Sequence, residues 1–157
     1  MRTSAFALAL LLVLAGSASA GSGLVFRRAD GSPIAFPRAV RTWCESDGLH
    51  IATLATLKQS RWELHIAKGS VRSGRTLAFS WERPNGVGIF VFDAKTKNEA
   101  SEGAEGSHGR VLLRRATCAR RGRIAIRLTG LIASEFFDGK RIAVSGTYQG
   151  NVGPPPR

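Results

Sequence analysis

The chain is poor in the residues that mark catalysis and cofactor chemistry. Its 157 residues include three histidines, two cysteines, one methionine and one tyrosine. It contains no His-Glu-x-x-His segment that would seat a hydrolytic zinc, and no Gly-x-Ser-x-Gly elbow for a nucleophilic serine. The glycine-rich stretch 103–109 lacks the strand before and helix after that a phosphate loop needs. One His/carboxylate grouping can be assembled on neighbouring strand-like runs, His50 and His65 with Glu63, while His108 stands apart. The sequence therefore points away from an enzyme and names no cofactor and no metal. His50, Glu63 and His65 form the residual catalytic candidate.

Acidic residues are also scarce, 11 against 23 basic ones, for a net charge of +12. Such a surplus attracts anions of any kind: an anionic polymer, lipid headgroups or an acidic protein surface. Long apolar runs are missing after the first twenty residues, which excludes a membrane-spanning helix in the remainder. Two cysteines are too few for a multi-bridge scaffold. In an exported chain they favour one disulfide, Cys44–Cys118. It would close a loop of about 75 residues and contribute about 4 kcal/mol in the chain-entropy account.

What is present begins with a signal-peptide pattern over residues 1–20. Arg2 supplies the positive charge, Ala5 to Ala15 the apolar stretch, and Ala18-Ser19-Ala20 the small-residue cleavage site. Cleavage after Ala20 implies a secreted or periplasmic protein with a net charge of +11, one below the whole chain. Residues 21–148 are expected to form the domain, and 149–157, ending Gly-Pro-Pro-Pro-Arg, a disordered tail.

Within the domain, apolar residues recur with a period of two, the mark of half-buried strands. Ile124, Ile126 and Leu128 alternate with Arg123, Ala125 and Arg127; Trp62, Leu64 and Ile66 alternate with Glu63 and His65; Leu77, Phe79 and Trp81 do the same. About eight short strands are expected, in an all-β antiparallel β-sandwich or small barrel. Leu49 to Leu57 reads as a strand joined to the next by Lys58-Gln59-Ser60, with a helix over 51–64 as the rival. Val87 to Phe92, apolar on both parities, reads as a central strand buried on both sides. Lys95 to Ser107, small and acidic, reads as a mobile loop whose Glu99, Glu102 and Glu105 would be free to fold over neighbouring cations. Asp138-Gly139 marks a hairpin. A three-residue loop there pairs Ile132 with Val144 and Glu135 with Arg141; a two-residue loop pairs Glu135 with Ile142. The first keeps one face apolar and is preferred.

The layout of an early cysteine strand, a Trp-x-Leu-x-Ile strand at 62–66, Gly-Arg-Val-Leu-Leu at 109–113 and Val-Ser-Gly-Thr-Tyr at 144–148 resembles exported bacterial β-sandwich domains of unknown function. The resemblance implies a sheet closed by that last strand and carries no functional residues across.

The concrete site candidate is a run of seven arginines with no acid between Gly106 and Ser134: Arg110, Arg114, Arg115, Arg120, Arg121, Arg123 and Arg127. If Val111, Leu113, Ile124, Ile126 and Leu128 face inward, Arg110, Arg114, Arg123 and Arg127 share the outer face, with Arg120 and Arg121 in the turn. Guanidinium groups so placed suit paired hydrogen bonds to phosphate or carboxylate. The competing explanations are a solvated face that guards a strand edge and codon choice in a GC-rich genome. No aromatic residue interrupts the run, and export makes nucleic acid a poor physiological partner. Three function classes result: a binding module using the arginine face, a structural or protein-interaction domain that ignores it, and an enzyme built on His50, Glu63 and His65. Parity adds one expectation. Val111 and Leu113 are odd-numbered and Cys118 even, so a bulge should fall at Arg114-Arg115 and turn both side chains to solvent.

Overall fold

The computed structural model describes residues 21–134 and 140–156. The expected signal peptide and the Asp138-Gly139 turn lie outside them. Eleven antiparallel strands occur among the described residues: β1 (Gly21–Ser22), β2 (Val25–Arg27), β3 (Val40–Cys44), β4 (Gly48–Thr53), β5 (Arg61–Ala67), β6 (Arg75–Ser80), β7 (Val87–Asp93), β8 (Asn98–Ser101), β9 (His108–Arg115), β10 (Arg123–Ser134) and β11 (Arg141–Asn151). The helix alternative for 51–64 is not realised. No helix among these residues is long and apolar enough to cross a membrane.

Strand pairing is continuous, running β1-β11-β10-β8-β7-β5-β4-β3, with β9 and β6 branching from β10 and β2 from β11. The long β10 makes this possible. Its first part, 125–131, pairs with β9, and Ala133 and Ser134 pair with β8. The result is one curled sheet, a half-barrel. The expectation of a sandwich holds for its all-β, antiparallel, disulfide-tied character and not for a division into two separate sheets. The Cys44–Cys118 disulfide is formed, with Cα atoms 5.6 Å apart, well within the usual span.

The core follows the sequence alternation. Leu49 and Ile51 on β4, Leu64 and Ile66 on β5, Ile89 and Val91 on β7, Val111 and Leu113 on β9, and Ile124, Ile126 and Leu128 on β10 are all buried. Phe79 lies against Gly109 and Gly130. A Cβ on Gly109 would sit 2.5 Å from the Phe79 ring, so a side chain there would force the ring away.

Several expectations are corrected. The β10–β11 ladder pairs Ile132 with Ile142 and Ala133 with Arg141, two residues away from the preferred register. The eleven-pair ladder decides the register, and a slip of two keeps Ile132, Ile142 and Val144 on the buried face. β4 ends at Thr53, so the connection to β5 spans residues 54–60 and not three residues. There the Thr53 hydroxyl takes the place of ladder bonds, accepting from Trp62 N–H at 3.0 Å. β7 is fully buried on one face alone. Phe90 and Phe92 on the other are half-buried, with the Arg61 guanidinium 5.6 and 4.6 Å from their ring centres.

Residues 95–107 are not a loose loop. They contain β8, and Ser107 Oγ donates to Ser101 O and accepts from Ala133 N–H, both at 2.7 Å. The tail is ordered in its first half. β11 runs to Asn151, Val152 is buried, and Gly153 N–H bonds Thr42 O at 2.8 Å, joining the chain end to β3.

Candidate functional site

The expected bulge is present. Ala125 pairs with Arg115 and Ile126 with Leu113, so Arg114 is the extra residue. The shift carries burial from Leu113 to Ala116, and both arginines between them are exposed. Cys118, which the parity argument aimed inward, is itself exposed. Its disulfide partner Cys44 is the half-buried member, packed against the core.

At this bulge the ends of β9, β10 and β11 form a groove of about 310 Å³ lined by Arg114, Arg115 and Arg123, with Gln149 and Asn151 across it. Asn151 is the ladder partner of Arg123, and Gln149 of Ala125. No acidic residue lines it. Arg110 and Arg127 are exposed farther along the same outer face, with Thr129 and Thr147 as respective ladder neighbours. Arg120 and Arg121 are exposed in the β9–β10 connection, and Arg121 is held there by its N–H on Val152 O at 3.0 Å. The structure thus gathers three of the seven arginines into one concavity and spreads the other four around it. Gln149 and Asn151, which the sequence reading placed in a tail, are the groove residues it missed.

Nor do the glutamates 99, 102 and 105 cover these arginines. Among the described residues no ion pair joins the two groups. Glu102 instead accepts from Ile89 N–H at 2.7 Å. Among the described residues, the one arginine engaged with a buried acid is Arg28, whose Nε and Nη2 donate to Asp93 at 2.6 and 2.8 Å. Burial alone would raise the Asp93 carboxyl above its usual range, but donors from Arg28, Thr96 and the Lys95 N–H more than offset it and hold it below.

A second constellation assembles on β3, β4 and β5. Trp43 pairs with His50 and His50 with His65 across the strands, so the three rings stand in a row on the outer face. Trp43 stacks on His50 at 5.1 Å, and the two imidazoles are 4.6 Å apart. His50 Nδ1 is 3.2 Å from Glu63 Oε1, and its Nε2 is 3.0 Å from Asp47 Oδ1. Burial works against the charged ring, yet the two carboxylates more than offset it and raise the His50 pKa. Glu63 thus bonds His50 and the His65 ring lies beside it, but no hydrogen bond joins His65 to either residue. Asp47, in the β3–β4 turn, is the member that sequence reading overlooked. His108 is exposed elsewhere, beside Gly106 O at 3.0 Å.

No protein-family model, no curated protein and no solved structure matches this chain. The resemblance to exported bacterial β-sandwich domains thus rests on sequence pattern alone.

Proposed function

We propose that the protein is an exported binding module, secreted or periplasmic and of bacterial type, that holds anionic groups of an envelope or extracellular ligand in the groove of Arg114, Arg115 and Arg123. The observation that carries this reading is the convergence of three exposed guanidinium groups on one concavity whose other polar liners, Gln149 and Asn151, are uncharged. Cations without a neighbouring acid keep their donors for a ligand, and guanidinium donors fit phosphate, sulfate or carboxylate oxygens in pairs. The bulge supports it further, since it presents two successive arginines on one rim. Export is supported by the leader-like residues 1–20 and by the disulfide, which persists in oxidising compartments.

Retention on a heparin column tests the proposal. Arg114→Ala with Arg115→Ala should elute at clearly lower salt than Arg38→Ala with Arg83→Ala, which removes the same charge. Arg38 precedes β3, and Arg83 follows the far end of β6, where Ser80 pairs with His108. Equal losses from the two pairs would show that net charge alone drives retention, and the structural or interaction-domain reading would take its place.

A further inference from the structure

We infer that Asp47, His50 and His65 form a binding site for a divalent transition-metal ion of the zinc, copper or nickel class. The donor atoms of the three side chains all lie within 4.8 Å of one another. Asp47 stands between the imidazoles: Oδ1 is 3.0 Å from His50 Nε2 and Oδ2 is 3.5 Å from His65 Nε2. Tetrahedral zinc with ligands near 2.0 Å sets its donor atoms about 3.3 Å apart; each imidazole already lies at about that distance from one oxygen of the Asp47 carboxylate, and a small turn of its exposed side chain would offer one oxygen to both.

The hydrogen bonding around the cluster shows what it is missing. A neutral imidazole donates one N–H. In the neutral tautomer that donates Nδ1–H to Glu63 Oε1, the Nε2 lone pair would face Asp47 Oδ1, another acceptor. Either a proton on Nε2 or a metal ion joins two acceptors at that distance, so the His50–Asp47 edge is open to both. His65 Nε2 is fully shielded from solvent and has no hydrogen-bond partner, and a buried polar atom left so is costly. A metal ion between these atoms would satisfy all three at once. Glu63 on the far nitrogen of His50 is the arrangement by which carboxylates orient metal-bound histidines and raise their basicity.

Local structure holds the cluster in place. The two histidines are direct cross-strand partners on β4 and β5, and Trp43 fixes the His50 ring from its other side. Asp47 is pressed toward His65 because Gly48 has φ +156° and lets the turn approach β5 closely. A Cβ at Gly48 would lie 2.1 Å from Ile66 O and 2.9 Å from His65 Nε2. The Asp47 side chain is 54% exposed, so the site opens to solvent on that side and leaves room for water or an outside ligand. Two imidazoles with one carboxylate favour borderline transition metals over calcium or magnesium, which take oxygen donors.

Calorimetric titration of the disulfide-bonded protein with Zn²⁺ tests the inference. One ion per chain should bind. Glu63→Gln should weaken binding by about 10- to 100-fold, and His65→Gln should weaken it more. His108→Gln should bind as the wild type does. Zn²⁺ should raise the melting temperature of the wild type and not that of His65→Gln, and if His65→Gln does not fold, Asp47→Asn at its exposed turn carries the same comparison. Absence of saturable binding in the wild type would overturn the assignment. So would variants at 47 and 65 that bind undiminished, or a loss in His108→Gln equal to theirs.

Discussion

Arg28 and the Arg114–Arg115–Arg123 groove set the same side chain in opposite surroundings. Arg28 grips a carboxylate that is almost wholly buried, its side chain also reaching Ser32 Oγ and Pro33 O, and it ties the chain just after β2 to the last residue of β7. Its charge is consumed inside the molecule. The groove arginines stand on the rim of β9–β11 with amide neighbours and no acid lining the groove, so their charge is directed outward. The comparison teaches that arginine count says little about anion binding until each guanidinium is assigned its partner. A control for the groove must therefore spare Arg28, because removing it leaves the buried Asp93 carboxylate without its cation.

The largest expected effect breaks the inner pair. Arg28→Ala should cost about 3–5 kcal/mol in urea unfolding, since it strands a buried carboxylate; a loss near that of a surface substitution would erase the distinction. Next comes pH. The folded pKa of Asp93 lies below its ordinary value of 3.8. Its contribution is therefore complete above that value and is lost as pH falls through the lower, folded one. Unfolding free energy should drop in that acid range for the wild type, and Asp93→Asn should show a flatter acid limb in the same titration. For the outer set the expected stability change is small. Arg114→Ala with Arg115→Ala should alter unfolding free energy by no more than about 0.5 kcal/mol per site, read from thermal melts, although heparin retention falls. The smallest effect belongs to Gln149→Ala with Asn151→Ala, which should reduce heparin retention less than the arginine pair and leave net charge unchanged.

Much of the frame was legible because period-two alternation is local. The inward faces of β5, β9 and β10 follow from counting parity, and the disulfide from finding two cysteines behind a leader-like segment. The bulge at Arg114 was expected from parity too, although Cys118, which that argument aimed inward, is exposed. The curl of the sheet was not legible, because it depends on β10 dividing its pairing between β9 and β8 along one uninterrupted strand. The end of the chain was misread for a different reason. Proline and glycine at 153–156 suggested a tail, yet Ile142, Val144, Tyr148 and Val152 keep even parity across that boundary and are all buried. Following that alternation would have brought Gln149 and Asn151 onto the outer face beside Ala125 and Arg123. At the histidine cluster, His50, Glu63 and His65 were reachable from alternation on two adjacent strands. Asp47 was not, since its position depends on how closely the Gly48 turn packs on β5. The arginine run announced itself through contiguity, but only the bulge and the strand ends decide which three of the seven meet.

Site binding of anions in the groove, rather than attraction to a diffuse positive surface, leaves a residue-resolved signature. A titration of the ¹⁵N-labelled protein with inorganic pyrophosphate, followed by NMR at the arginine Nε–H groups and backbone amides, tests it most directly. Saturable shifts should concentrate at Arg114, Arg115, Arg123, Gln149 and Asn151 and be abolished in Arg114→Ala with Arg115→Ala. Shifts of equal size spread over Arg38, Arg83, Arg110 and Arg127, rising without saturation, would contradict it.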